Sequence, residues 1–155
     1  MNRTSRRQRV STTTLALTVG AAASTILASA ATAHADPEYL LFTDPTGNVK
    51  CEMTINYKGN PYANCVVRHA AYPVLADKCD FPGPVNPQIG MGQGDTPDYS
   101  CVVASDNTPG EFTLDFGQTR SVGTITCESK EFGVTCTDAG TGHYFRASTG
   151  SYDLA

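Results

Sequence analysis

From Val49 to Ile55 the chain alternates strictly, with Val49, Cys51, Met53 and Ile55 apolar and Lys50, Glu52 and Thr54 polar between them. A period of two is the pattern of a strand with one face buried and the other wet. Residues 56–60, with Gly59 among them, read as a turn, and Ala63, Cys65 and Val67 then resume on one face. Farther along, Ile125 and Cys127 alternate with Thr124, Thr126 and Glu128, and Val134 and Cys136 with Thr135 and Thr137. Additional strands are predicted near 39–43, 99–104, 111–116 and 144–147. No helical period persists for three turns. The pattern predicts an all-β fold: a small disulfide-stapled antiparallel sandwich or barrel-like domain built of hairpins.

The same periodicity tests how the cysteines pair. If Cys51 stands directly opposite Cys65, Val49 meets Val67 and Met53 meets Ala63, so all six side chains share one face. Opposed residues lie within the reach of a disulfide. Opposing Cys127 to Cys136 leaves a short loop around residues 130–133, where Gly133 can take a positive φ. Cys79 and Cys101 remain and pair by elimination. Six cysteines allow 15 connectivities, and this register selects one of them.

Between Cys79 and Cys101 the chain carries Pro82, Pro84, Pro87 and Pro97, with Gly83, Gly90, Gly92 and Gly94. This density of breakers predicts a long irregular loop over 81–100. Its apolar residues Phe81, Ile89, Met91 and Tyr99 then become candidates for a tethered binding surface.

The first residues are of a different kind. Arg3, Arg6, Arg7 and Arg9 precede an Ala/Thr/Leu-rich stretch that closes on Ala33-His34-Ala35, the plan of a secretory signal peptide over 1–35 with cleavage before Asp36. Ser5-Arg6-Arg7 resembles the start of a twin-arginine signal, although Arg9 and Val10 stand where an aromatic and a leucine are preferred. All six cysteines lie in the remaining segment, 36–155, as disulfides of a secreted, extracellular domain would. Cleavage removes four of 11 basic residues and none of the 15 acidic ones, moving the net charge from −4 to −8. That acidity argues against nucleic acid or an anionic membrane as partner. No membrane span is expected after cleavage, and a monomer is expected.

Two stretches also resemble a known family. Asp44-Pro45-Thr46-Gly47-Asn48-Val49-Lys50-Cys51 is similar to the opening of small secreted actinobacterial six-cysteine proteins catalogued as a domain of unknown function. Gly133-Val134-Thr135-Cys136 and Thr141-Gly142-His143-Tyr144-Phe145 are similar to that family's close, and Tyr152-Asp153-Leu154 to its ending. A tryptophan-containing segment typical of the family is replaced here by Phe81-Pro82-Gly83-Pro84, and Tyr144 stands where glycine is usual. The resemblance implies a secreted, cysteine-bridged domain and brings with it no reaction, substrate or cofactor.

Candidate chemistry is sparse. His143, between flexible neighbours, is a weak candidate for a general base, with His69 weaker; a hydrolase would add a nucleophile on a constrained turn, and no Gly-x-Ser-x-Gly elbow is present. Neighbouring strand residues point to opposite faces, which disfavours joint iron ligation by His143 and Tyr144. Cysteine gaps of 14, 14, 22, 26 and 9 are not those of a zinc site. Asp95, Asp98, Asp106 and Asn107 lack the ligand spacing of a helix–loop–helix calcium site. No metal and no cofactor are therefore expected. The leading expectation is a non-enzymatic extracellular module that binds a protein or cell-envelope ligand. The alternative is a small secreted hydrolase, or a hydrolase inhibitor that inserts the Pro/Gly loop into its target.

Overall fold

The alternating segments become strands, and two sheets bury their apolar faces against one another. A computed structural model describes residues 39–80, 82–104 and 110–155. The predicted signal peptide, Phe81, Asp106 and Asn107 lie outside the described residues. The strands are β1 (Tyr39–Thr43), β2 (Val49–Ile55), β3 (Pro61–Val67), β4 (Val85–Gly92), β5 (Asp98–Val103) and β6 (Phe112–Thr113), followed by β7 (Thr119–Val122), β8 (Ile125–Lys130), β9 (Gly133–Asp138), β10 (Tyr144–Ala147) and β11 (Tyr152–Leu154).

The first sheet has the order β5-β4-β3-β2-β1-β6 and the second β11-β10-β9-β8-β7. All pairings are antiparallel except β1 with β6. Strands β2, β3 and β4 of the first sheet face β7, β8 and β10 of the second. The all-β, disulfide-stapled expectation holds, and the arrangement is a sandwich. Between the sheets lie Phe42, Met53 and Ile89 from one side and Ile125, Val134 and Phe145 from the other, all fully buried.

The predicted register of the first hairpin is present residue for residue: Val49 opposite Val67, Cys51 opposite Cys65, Met53 opposite Ala63. Its turn is held by the Asn56 side chain, whose Oδ1 accepts the backbone N–H groups of Lys58 and Asn60 at 2.9 and 3.1 Å. Disulfides join Cys51–Cys65, Cys79–Cys101 and Cys127–Cys136. In the second cross-strand pair, Cys127 faces Cys136 on the core side, and Gly133 in that hairpin has φ 112°. Each bridge should contribute roughly 2–4 kcal/mol by restricting the unfolded chain.

The structure corrects the predicted loop over 81–100. Most of it is strand: β4 lies inside the first sheet, hydrogen-bonded to β3 and to β5. Pro87, Ile89 and Met91 alternate into the core, and Asn86, Gln88 and Gly90 face outward. Breakers hide this alternation but are compatible with it. Pro87 stands one residue beyond the Val66–Gln88 end of the β3 ladder, so its missing N–H interrupts no pairing on that side. Gly90 leaves room for a neighbour, since a side chain there would strike the Tyr62 hydroxyl at 2.8 Å and the Ala63 carbonyl at 2.9 Å. Ile89, Met91 and Tyr99 are 0, 2 and 3% exposed, so they serve the core and present no binding loop.

The long irregular connection instead precedes β4, over the described residues 68–80 and 82–84. Cys79–Cys101 ties it to β5, and Ala71 N–H donates to the Thr149 carbonyl at 2.7 Å. Tyr72 rests on Tyr152, which also meets Tyr99, with ring centroids 5.3 and 5.0 Å apart. Burial, with smaller effects from Tyr99 and Tyr152, pushes the Tyr72 hydroxyl up to about 12. Other differences are smaller. The strand near 111–116 contracts to the two residues of β6, and β7 and β11 are additional.

A core role for Ile89 has a measurable consequence. Ile89→Ala should lower unfolding stability by about 2–5 kcal/mol in a denaturant titration, as truncation of a buried aliphatic side chain does. A change near zero would return this segment to the surface.

Candidate functional site

The motifs that stood out in sequence prove to be turn clamps. Asp44, 3% exposed, accepts the Val49 N–H at 3.0 Å on Oδ1 and the Thr46 hydroxyl at 2.6 Å on Oδ2, closing the turn between β1 and β2. Asp138 does the same at the opposite end of the strands. The Gly140 N–H reaches its Oδ1 at 3.0 Å, while the Gly94 N–H and the Thr141 hydroxyl reach Oδ2 at 2.8 and 3.2 Å. Gly94 belongs to the β4–β5 turn, so this carboxylate joins the two sheets. The Thr124 hydroxyl, then the Gly140 and Gly94 N–H groups, stabilise the charged form and hold Asp138 down at about 2, against an ordinary 3.8.

His143 reinforces the same junction. Its Nδ1 lies 3.0 Å from the Asp95 carbonyl, and its backbone N–H donates to Thr141 Oγ1 at 3.2 Å. A carbonyl only accepts, so Nδ1 carries the proton. Among the described residues no side chain is bonded to Nε2, and His143 lines neither of the two principal concavities. Among the described residues no hydroxyl is hydrogen-bonded to its ring, as a nucleophile would be. His69 follows β3 with φ 53°, where the chain turns away from the sheet. Asp95 closes over Gly92, and Asp98 begins β5. Among the described residues no group of three or more His, Cys, Asp or Glu side chains gathers as metal ligands would.

One concavity is a cleft of about 360 Å³ on the outward face of the first sheet. The even-numbered residues of β2, β3 and β4 line it because the odd-numbered ones are taken by the core. Amides form its floor. Gln88 Nε2 donates to Asn64 Oδ1 at 2.9 Å, and Ser100 Oγ donates to Gln88 Oε1 at 3.3 Å, so a side-chain ladder crosses β3, β4 and β5. Asn64 is only 7% exposed. Lys50, Glu52 and Arg68 bring charge, and Leu41, Val66 and Val102 bring apolar surface. Tyr62 lies over Gly90 on the same face; burial, then the charges of Glu52 and Asp98, push its hydroxyl above the ordinary value.

The second concavity, about 350 Å³, sits at the β1–β2, β8–β9 and β10–β11 turns. Its polar groups serve the fold. Arg146 pairs with Asp153 at 2.7 Å and donates to Ser151 at 3.2 Å, and Asp44 is the turn clamp already described.

No family model matches the chain, and neither a curated protein nor a solved structure does. The cleft is therefore read from its own chemistry. None of its lining residues was a candidate functional residue in sequence, although Lys50 and Glu52 were read as polar strand positions. The available signal was the polar half of each alternating strand, but five strands in register are needed to turn that half into a surface.

The Asp138 clamp predicts a pH dependence. A carboxylate whose pKa falls on folding contributes its full stability above the unfolded value near 4, and that contribution disappears as pH drops toward 2. At about two pH units the effect is about 2 kcal/mol. Asp138→Asn should lose about that much stability at pH 7 and show a flatter melting profile than wild type between pH 4 and pH 2. Parallel profiles would remove Asp138 from this role.

Proposed function

We propose that this protein is a secreted, non-enzymatic binding module that takes a protein or cell-envelope ligand on the outward face of its first sheet. The observation that carries this reading is the cleft itself, with a hydrogen-bonded amide ladder as its floor and charged and apolar groups at its sides. Concave sites with a few placed polar groups amid apolar surface are where ligands bind. Three disulfides accord with an oxidising, extracellular setting. Among the described residues no helix is long and apolar enough to cross a membrane.

The competing readings lose their main supports. Inhibition by insertion relied on a projecting loop, and the segment in question is β4 and β5. Hydrolysis relied on His143, whose Nδ1 braces a backbone turn. Membership of the small secreted six-cysteine family belongs to the same proposal, and its shared motifs fall mainly on the Asp44 and Asp138 turns, with Lys50 alone among their residues at the cleft.

Filling the cleft tests the reading. Gln88→Trp places an indole over the ladder at a half-exposed position. The mature protein should be retained on cell-envelope material or by a partner from the culture medium, and the folded Gln88→Trp variant should lose that retention. Equal retention of the two proteins would move the binding surface elsewhere.

A further inference from the structure

One disulfide differs from the other two in where it lies. Cys51, Cys65, Cys127 and Cys136 are 0% exposed, sealed between the sheets. Cys101 is 7% exposed and Cys79 is partly exposed, so the third bridge sits at the margin of the apolar layer. It fastens a strap across one flank of the sandwich. β5 ends the first sheet and β11 ends the second, and Tyr99 of β5 meets Tyr152 of β11, so both edges lie on that flank. Residues 71–80 cross it: Ala71 N–H is held by the β10–β11 turn, Tyr72 rests on Tyr152, and Cys79 is bonded to β5. Little else holds the strap. No residue of 68–80 is fully buried, and among the described residues the one backbone–backbone hydrogen bond within 72–80 is local, from Lys78 N–H to the Leu75 carbonyl. A segment with so few buried contacts opens at small cost once its tether is cut. An unpaired strand edge borders it. Ala104 N–H donates to the Pro84 carbonyl, so by alternation the backbone groups of Asp98, Ser100 and Val102 face β4, and those of Tyr99, Cys101 and Val103 face away from it. Covering such an edge with a loop is one way proteins keep it from pairing with other chains.

We propose that Cys79–Cys101 is a redox latch: a dithiol reductant opens it while the two core bridges stay closed, and the strap then leaves the flank and bares the edge of β5. Access decides which bridge reacts, because a thiolate must reach a sulfur to displace its partner. Cys79 is the more exposed of the pair and takes the attack. A thiolate of the reductant bonds to Cys79 Sγ, the S–S bond breaks, and its electron pair leaves on Cys101 Sγ, which takes up a proton. The reductant's second thiolate then displaces Cys79, which is protonated in turn, and closes the reductant's own disulfide. Two protein thiols form for each dithiol oxidised. The sheets survive this step, since β4 and β5 remain paired over six residues and the bridges of β2–β3 and β8–β9 are untouched.

The test treats the mature, oxidised protein with graded dithiothreitol at neutral pH, alkylates the freed thiols and maps them by peptide mass. Cys79 and Cys101 should be labelled at least about tenfold faster than the other four cysteines. In the species opened at this bridge alone, the amide spectrum should keep the dispersion of both sheets while the Tyr72 ring resonances move. Trypsin should then cut after Lys78 about tenfold faster than in the oxidised protein, with cleavage after Lys58 in the β2–β3 turn unchanged. The double variant Cys79→Ser with Cys101→Ser should behave as the opened form with or without reductant. Labelling of all six cysteines together would overturn the proposal, because the bridge would then open only with the whole fold. Selective labelling that leaves Tyr72 and Lys78 unaffected would also overturn it, since the bridge would not be what holds the strap. Loss of sheet dispersion in both the opened species and the double variant would make the bridge a support of the fold, and the latch would fail on that result too.

Discussion

Two sheets share a single apolar layer, and that layer decides what every other residue can do. Each strand yields alternate residues to it, so once Val49, Met53, Ala63 and Val67 face inward the pairing of their strands is set. A slip of one residue would send Lys50, Glu52 and Asn64 into the core, where uncompensated charge and amide groups are expensive. The cross-strand disulfides follow from the same constraint, because Cys51 with Cys65 and Cys127 with Cys136 occupy core-facing positions that are already opposed. The outward cleft is the complement of that core. Its amide ladder exists because the intervening positions of β3, β4 and β5 have nowhere else to point.

Legibility in the sequence followed the strength of local alternation. The hairpins β2–β3 and β8–β9 and their bridges could be read directly, since seven or six residues of clean pattern lie on either side of a turn. β4 could not, although Val85, Pro87, Ile89 and Met91 alternate as regularly as any strand. Proline and glycine carry a prior for turns, and only the neighbouring strands show why they are tolerated: Pro87 lies past the β3 ladder and Gly90 lies beneath Tyr62. β7 and β11 are edge strands of four and three residues, too short for a period to establish itself. The cleft was hidden for a further reason. Asn64 and Gln88 are 24 residues apart, and only register makes them partners.

The segments with the most recognisable wording turn out to be architectural. Asp44 with Thr46 fastens one end of the strands, and Asp138 with Gly94, Gly140 and Thr141 fastens the other. Short polar side chains beside glycine are suited to such work, because they replace backbone partners where the chain reverses. Asp138 does more than shape its own turn: its bond to Gly94 spans 44 residues and links the sheets where the apolar layer ends. His143 secures the same corner through Asp95. A motif can thus be memorable for the bend it makes, while the surface available to a partner is assembled from unremarkable polar residues of several strands.

Strand order gives the disulfides a further meaning. β1 to β5 are laid down side by side in chain order, as are β7 to β11, so each sheet is a meander and none of the three bonds joins one sheet to the other. The bridged cysteines are 14, 22 and 9 residues apart and their spans never overlap. A chain threaded N-terminus first into an oxidising space can therefore lock Cys51 to Cys65, then Cys79 to Cys101, then Cys127 to Cys136, each as its second thiol emerges. No early cysteine has to be held in reserve for a late one, and oxidation in order of arrival gives the native set without reshuffling.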